Sequence, residues 1–236
     1  RDVRGAADTL SVISGHDKRD STSLDTPAQD FTSSLTGDIS GMKLGVPREY
    51  LVDGMESGVK AAFEKSLETL EGLGATLEEV SLPLTDQALA VYYIIAPSEA
   101  SANLARYDGF KYGNAVIDVP TAWDVMDQTR EQGFGAEVKR RILIGAYALS
   151  AGYYDAYYKK AQQVRTLIRQ EFAATFENFD ALVTPTSPTV AFKAGDRMDD
   201  PVAMYLSDVC TIPVNIAGLP AISVPGGISE DLPVGL

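Results

Sequence analysis

Cysteine and histidine are almost absent from this sequence of 236 residues, in which Cys210 and His16 are the single members of their types. One cysteine cannot form an internal disulfide, and one residue of each type is too few for a Cys/His zinc cluster. A Ser-His or Cys-His triad would have to use His16 itself, so we expect no histidine-based hydrolysis. We interpret Cys210 as a small buried hydrophobic residue and His16 as a solvated loop residue.

Long hydrophobic runs and an excess of positive charge are also lacking. The longest apolar run, residues 88–96, has nine residues, whereas a membrane-spanning helix needs about 20. The first residues lack the apolar core of a signal peptide, so we expect a cytoplasmic protein with no membrane partner. The 20 Lys and Arg residues against 33 Asp and Glu residues give a net charge of −13, which argues against nucleic-acid binding by the whole surface.

Motifs that bind phosphate or carry a serine nucleophile are missing as well. The sequence contains neither Gly-x-Gly-x-x-Gly nor Gly-x-x-x-x-Gly-Lys-Ser/Thr, and it has no Gly-x-Ser-x-Gly. What is present is an ordinary globular composition with 45% hydrophobic residues, long enough to bury a core without disulfides or metals.

The first part of the sequence alternates strand and helix patterns. Residues 1–40 are expected to be loop-rich. An apolar run at 42–46 indicates a buried strand, helical spacing of apolar residues predicts a helix over 57–73, and alternation predicts a strand over 75–82. Strand, helix and strand with short connections, over residues 41–82, favour an α/β fold.

The later part is mainly helical over residues 83–180 and returns to strands and a helix over 181–236. Helices are expected at 86–106, 122–132, 136–150 and 152–176, and near 201–210. Strands are expected at 179–184, at 221–225 and from 232 onward. Residue 1 is not methionine and the last strand is cut short, so we interpret residues 1–236 as a single partial domain excised from a longer chain.

Arg141 is the first candidate functional residue. It lies at the margin of an apolar helix face, and Arg140 lies on the opposite side; the face comprises Val138, Ile142, Gly145 and Leu149. A guanidinium at such a margin is costly to leave unpaired, and its planar fork suits a carboxylate. The residues alone leave open whether that carboxylate belongs to the chain or to a ligand.

Asp208 and Tyr92 are the other candidates. Asp208 stands between the apolar residues Leu206 and Val209, as either a helix cap or a buried carboxylate that faces a ligand amine. Tyr92 lies in an apolar helix, where packing is the simpler interpretation and a buried hydroxyl needs a polar partner. We interpret the tyrosines at 154 and 157 as the start of a core stripe that continues to residue 172.

Short strings along nearly the whole chain match a known pattern. They are Lys43-Leu-Gly-Val-Pro47, Ser98-Glu-Ala-Ser101, Leu104-Ala-Arg-Tyr-Asp-Gly109, Gly133-Phe-Gly-Ala-Glu-Val-Lys-Arg-Arg-Ile142, the run from Ser150 to Arg165, and Pro213-Val-Asn-Ile-Ala-Gly-Leu-Pro220. With these strings the chain resembles the amidase signature family. The Val-Lys-Arg-Arg-Ile and Gly-Tyr-Tyr-Asp-Ala-Tyr-Tyr strings are more particular to its tRNA-dependent glutaminase subunits.

This resemblance implies a fold and a reaction. The fold is α/β, the amidase signature fold, with a mixed central β-sheet covered by helices. The family hydrolyses glutamine with a Lys-Ser-Ser triad, whose motifs this chain does not contain. The ammonia would pass to a partner subunit of a heterotrimer, which uses ATP and Mg²⁺ to convert Glu-tRNA(Gln) to Gln-tRNA(Gln). No cofactor is expected in this chain itself.

The resemblance also implies a role for each candidate residue. Arg141 matches the arginine that pairs with the α-carboxylate of glutamine, Asp208 matches the acid that holds the α-amino group, and Tyr92 matches a tyrosine that lines the pocket. Two alternatives remain open, namely a hydrolase of the same family that acts on another amide and a non-catalytic binding or assembly module. The Arg141 and Asp208 pair disfavours the first, since a simple amide needs no clamp for a zwitterion.

The missing triad generates a prediction for the chain by itself. We expect the purified chain not to hydrolyse glutamine, because binding residues without a nucleophile supply orientation but no group that acts in the transition state. An assay of ammonia release beside the full-length subunit measures this. Glutamine turnover that disappears when Cys210 is replaced would contradict both this prediction and our interpretation of Cys210.

Overall fold

The computed structural model describes residues 2–196, 204 and 206–236. The chain divides into two compact units. The first comprises residues Arg1–Ser81, Thr175–Thr211 and Ala221–Leu236, and the second comprises Leu82–Ala174 and Ile212–Pro220. Both strands and helices are present, which confirms the α/β class, while the single domain over 1–236 stays a prediction.

The first unit opens with a helix, α1 (Val3–Ile13), in the region that the sequence predicts to be loop-rich. Its N-terminus is capped by Asp2, whose carboxylate accepts a hydrogen bond of 2.7 Å from the backbone N–H of Gly5. The helix buries Ala7 and leaves Val12 and Ile13 exposed. Apolar residues nevertheless recur at helical spacing along this helix, so the sequence pattern could have indicated it.

A three-stranded parallel sheet forms the centre of the first unit. Its strands are β1 (Lys43–Pro47), β2 (Thr76–Val80) and β3 (Ala181–Leu182), in the order β2-β1-β3. β1 pairs in parallel with both neighbours, and α2 (Ser57–Gly72) connects β1 to β2. The predicted strand-helix-strand unit is thus confirmed. The described strands of this sheet are all parallel, whereas the resemblance implies a mixed sheet.

An antiparallel hairpin forms a separate sheet, with strands β4 (Pro225–Ser229) and β5 (Leu232–Gly235). The strand predicted at 221–225 is therefore displaced toward the C-terminus. The reason is a tight two-residue turn, because Glu230 and Asp231 both have positive φ, at 52° and 62°, as the favoured two-residue hairpin turn requires. Val224 and Leu236 exchange two hydrogen bonds of 2.9 Å and extend the pairing.

Helix α2 packs on this hairpin and forms a small core with it. Val59, Ala62 and Val234 are buried together, and the Ser66 hydroxyl donates to the carbonyl of Gly226 over 2.7 Å. Because Ser66 is buried, this bond also satisfies a polar group inside the unit.

The region predicted as a helix near residues 201–210 is described only in part. Met204 and Leu206 are helical, residues 207–210 form turns, and the remaining positions lie outside the described residues.

The second unit is helical, as predicted for residues 83–180. It contains α3 (Ala88–Leu104), α4 (Ala122–Gly133), α5 (Ala136–Leu149), α6 (Lys160–Phe176, to residue 174 in this unit) and α7 (Ile212–Ala217). A 3₁₀ helix, Pro83–Gln87, precedes α3. Across the described part of the chain, no helix combines the length and the apolar character needed to cross a bilayer.

A π-helix, Asp155–Lys159, precedes α6. The predicted stripe of core residues is therefore only partly correct. Ala161, Ile168 and Phe172 are buried as predicted, but Tyr154 and Tyr157 are 45% and 39% exposed. The backbone N–H of Lys159 donates to the carbonyl of Tyr154, five residues earlier. Such a turn is wider than an α-helical one, so positions before it no longer share the face that the α-helical period assigns to them.

Helices α3 and α5 approach most closely at Gly145. A Cβ atom built on Gly145 would overlap the backbone carbonyl of Pro97 and would lie 2.8 Å from the Cβ of Ser101. Gly145 is buried, as is Ala148 on the same helix. Only a residue without a side chain allows this crossing, which explains a glycine in the middle of α5 despite its low helix propensity.

We expect Gly145→Ala to destabilise the protein by about 2–3 kcal/mol, because the added methyl group forces two packed backbones apart. Urea unfolding measures the change in the free energy of unfolding. Gly72→Ala is the matched control, since Gly72 is also a helical glycine but has open space around its Cβ position. We expect the control to change stability by at most about 1 kcal/mol, and equal losses in both variants would refute the steric argument.

Candidate functional site

Arg141 is bound from two sides within the second unit. Its Nε donates to Glu137 Oε1 over 2.9 Å, and its Nη1 donates to the hydroxyl of Tyr92 over 3.0 Å. Arg141 projects from α5 and Tyr92 from α3, and the close crossing at Gly145 brings the two helices within reach. The side chain of Arg141 remains 32% exposed, so a ligand can approach it.

Glu137 is shared between two arginines. While Oε1 accepts from Arg141, Oε2 accepts from Nη1 of Arg140 over 2.6 Å. Arg140 is 52% exposed, which agrees with its predicted position on the outer side of α5. Their positions on opposite helix faces did not predict that Arg140 and Arg141 share Glu137. Both side chains are long and flexible, so each reaches the carboxylate three or four residues earlier.

The acid that pairs with Arg141 inside the chain is therefore Glu137. The sequence alone did not identify which carboxylate pairs with Arg141. The i,i+4 spacing of Glu137 and Arg141 was the local signal that could have identified it. The pair does not use the whole fork, since a guanidinium has further N–H donors beyond the two engaged here. An internal ion pair and a ligand contact are thus compatible on the same side chain.

The electrostatics of the cluster favour a negatively charged ligand. The hydrogen bond with Tyr92, and then that with Glu137, hold the pKa of Arg141 above its usual range. Two guanidinium groups face one carboxylate, so the cluster keeps a net positive charge. Partial exposure screens this charge but still leaves a site suited to one carboxylate group.

Tyr92 combines packing with a polar contact. It is half-buried on α3 and meets Tyr93 edge-to-face, with ring centroids 5.0 Å apart. Its hydroxyl has the polar partner that a partly buried tyrosine needs, namely Arg141. The ring of Tyr92 therefore packs against Tyr93, while its hydroxyl makes the polar contact with Arg141.

Asp208 lies in the first unit and is not buried. It occupies a turn, and the residue is exposed, so the alternative of a buried carboxylate, one of the two left open by the sequence, is wrong. Leu206, two residues earlier, is itself 49% exposed. The backbone carbonyl of Asp208 accepts from the N–H and the hydroxyl of Thr211, at 3.0 Å and 3.1 Å.

Cys210 is buried, as predicted, and its thiol is free. Burial raises the pKa of Cys210 to about 11, and a thiol that stays protonated at neutral pH is a poor nucleophile. His16 is exposed in its loop, with Nδ1 3.4 Å from the hydroxyl of Ser23. Within residues 2–196, 204 and 206–236, no group of three His, Cys, Asp or Glu side chains is arranged to hold a metal ion.

Comparison with known proteins places the chain in a family. The family model described as Amidase matches residues 1–236. The chain is 61% identical over 227 residues to the A subunit of the glutamyl-tRNA(Gln) amidotransferase of Chloroflexus aggregans, covering 96% of this chain and 46% of that protein. It is 56% identical over 236 residues to the corresponding protein of Desulforamulus reducens, covering 100% of this chain and 49% of that protein.

Solved structures agree with this assignment. The A subunit of the glutamyl-tRNA(Gln) amidotransferase of Thermotoga maritima superposes with a TM-score of 0.75 at 44% identity, over 99% of this chain and 46% of that one. A bacterial aryl acylamidase of the amidase signature family gives a TM-score of 0.73 at 25% identity, over 100% of this chain and 47% of that one. The chain thus spans about half the length of the relatives it matches.

Proposed function

The chain belongs to the amidase family, and from this premise we propose that it is part of the glutaminase subunit of a glutamyl-tRNA(Gln) amidotransferase. Identity of 56–61% to two such proteins along nearly the whole chain supports this assignment. Because the chain spans about half of their length, the activity belongs to the complete protein. The contribution of residues 1–236 is the pocket that binds glutamine.

In the proposed reaction, the complete subunit hydrolyses the side-chain amide of glutamine and releases ammonia. A partner subunit of a heterotrimer uses ATP and Mg²⁺ to activate Glu-tRNA(Gln), and the ammonia converts it to Gln-tRNA(Gln). The tRNA binds mainly to that partner, and this chain holds no cofactor. The complex works in the cytoplasm.

The single observation that carries the proposal is the cluster of Arg141, Tyr92 and Glu137. Free glutamine has an α-carboxylate, and a guanidinium with unused N–H groups binds a carboxylate through charge-assisted hydrogen bonds. Tyr92 and Glu137 hold that guanidinium by two different nitrogens. An amide substrate without a carboxylate would gain nothing from this arrangement, so the cluster favours glutamine over the substrates of a stand-alone amidase.

Asp208 supplies the second contact in this proposal. We assign its carboxylate to the α-ammonium group of glutamine on the match of the Leu-Ser-Asp-Val segment. Its exposed position allows a ligand cation to reach it.

We expect Arg141→Ala in the complete enzyme to lower kcat/KM for glutamine, because the substrate carboxylate loses its charged partner. The decrease should correspond to a loss of about 2–5 kcal/mol of transition-state stabilisation. Arg140→Ala is the matched comparison, since Arg140 also bonds to Glu137 but lies on the exposed side of α5. We expect a much smaller loss from it, because Arg140 contributes only to the charge of the cluster. Steady-state kinetics with glutamine compares the two variants. Equal losses would show that the orientation of Arg141 has no special role.

We expect Asp208→Asn to raise the KM for glutamine about 10-fold, as for the loss of a hydrogen bond to a charged group. Formation of Gln-tRNA from free ammonia should be unchanged, because ammonia does not pass through this pocket. The stability change should stay within about 0.5 kcal/mol, since Asp208 is exposed. Parallel loss of the glutamine- and ammonia-dependent activities would indicate a role in folding or assembly, and no loss of either would refute the assignment.

A further inference from the structure

Glu137 occupies a position in which its carboxylate is fixed from several sides. It lies in the first turn of α5, directly after Ala136 and the N-cap Gly135, where the helix dipole favours a negative charge. Arg140 and Arg141 bind its two oxygens, at 2.6 Å and 2.9 Å. Glu137 is therefore a charged hydrogen-bond acceptor that is placed to bind Arg141.

The hydrogen bond to Glu137 helps to set the orientation of Arg141. The contact from Nε fixes the inner edge of the guanidinium on Glu137, and the contact from Nη1 fixes a second point on the hydroxyl of Tyr92. Two contacts at different nitrogens define the plane of a rigid group. The N–H donors that neither contact uses then point in a set direction, toward solvent or a ligand.

Arg140 has an electrostatic part in the same arrangement. If Glu137 bound Arg141 alone, the pair would be neutral and would attract a carboxylate weakly. Because Glu137 also binds Arg140 over 2.6 Å, its negative charge is divided between two cations, and the cluster stays positive. Arg141 is thereby held in place without losing its attraction for an anion.

We propose that Glu137 is a positioning residue for glutamine, which holds the guanidinium of Arg141 with its unused N–H donors turned toward the α-carboxylate of the substrate. This inference rests on the proposed function, since it requires that Arg141 binds glutamine. Glu137 does not touch the substrate and acts only through Arg141. It therefore sets the affinity for glutamine rather than the rate of the chemical step.

The test compares Glu137→Ala and Glu137→Gln in the complete amidotransferase. We expect Glu137→Ala to raise the KM for glutamine about 10-fold with kcat unchanged within about 2-fold, because losing a contact that is equally strong in the ground state and the transition state acts on KM alone. Glu137→Gln should raise KM only about 3-fold, since its amide oxygen still accepts a hydrogen bond from Nε without the charge. Formation of Gln-tRNA from free ammonia should be unchanged in both variants.

Asp155→Asn is the matched control. Asp155 forms an ion pair with Lys159 that has the same i,i+4 spacing and a similar length, 3.0 Å, on an exposed surface of the same unit. This substitution removes an ion pair without touching Arg141, so we expect the KM for glutamine to be unchanged. An equal rise of KM in Asp155→Asn and Glu137→Ala would overturn the proposal, since any lost ion pair would then have the same effect.

A double variant separates this inference from the proposed function. If Arg141→Ala leaves the KM for glutamine unchanged, the proposed function fails and the role of Glu137 fails with it. If Arg141→Ala raises KM, adding Glu137→Ala should cause no further rise, because Glu137 acts through Arg141. A further rise in the double variant, a normal KM in Glu137→Ala alone, or a loss of ammonia-dependent activity would overturn the positioning role and leave the proposed function standing.

Discussion

The close crossing of α3 and α5 is the constraint on which the candidate site depends. The backbone of Gly145 lies directly against the carbonyl of Pro97, with no room for a Cβ atom. Arg141 is one helical turn before Gly145, and at this helix separation its guanidinium reaches the hydroxyl of Tyr92 at 3.0 Å. The absence of one side chain thus determines the position of three others. Protein interiors transmit such a constraint because they are closely packed and do not adjust freely.

The cluster obtains its charge and its order from residues within one helical turn. Glu137, Arg140 and Arg141 are neighbours in sequence, and their contacts require only that the α5 segment is helical. Tyr92 is the one contact that depends on the tertiary packing of α3 against α5. The ion pairs within α5 therefore hold Arg141 in a defined orientation only once α3 packs against α5. This division explains how a partly exposed group keeps a defined orientation.

The strand-helix-strand unit and the main helices of the second unit could be predicted from sequence, because their apolar periodicity is regular and their boundaries carry Gly or Pro. Two features could not. The π-helix at Asp155–Lys159 breaks the period on which the prediction rests, and the side chain of Asp208 is exposed although it lies between Leu206 and Val209 in the sequence. Helix α1, in contrast, has apolar residues at helical spacing that the prediction of a loop-rich start overlooked. At the site, the inward position of Arg141 follows from helical geometry. Its contact with Tyr92, 49 residues away in sequence, depends on tertiary packing.

The π-helix has a consequence for how this segment tolerates change. A single wide turn is equivalent to one extra residue in an α-helix, so it shifts the angular phase of everything before it relative to everything after it. Tyr154, before the wide turn, and Tyr157, within it, are exposed, while Ala161, Ile168 and Phe172 after it are buried. Removing one residue from Asp155–Lys159 would restore a continuous α-helical phase and rotate the tyrosines by about 100° relative to the core residues of α6. The wide turn therefore lets an exposed tyrosine before it and the buried residues of α6 after it belong to one continuous segment.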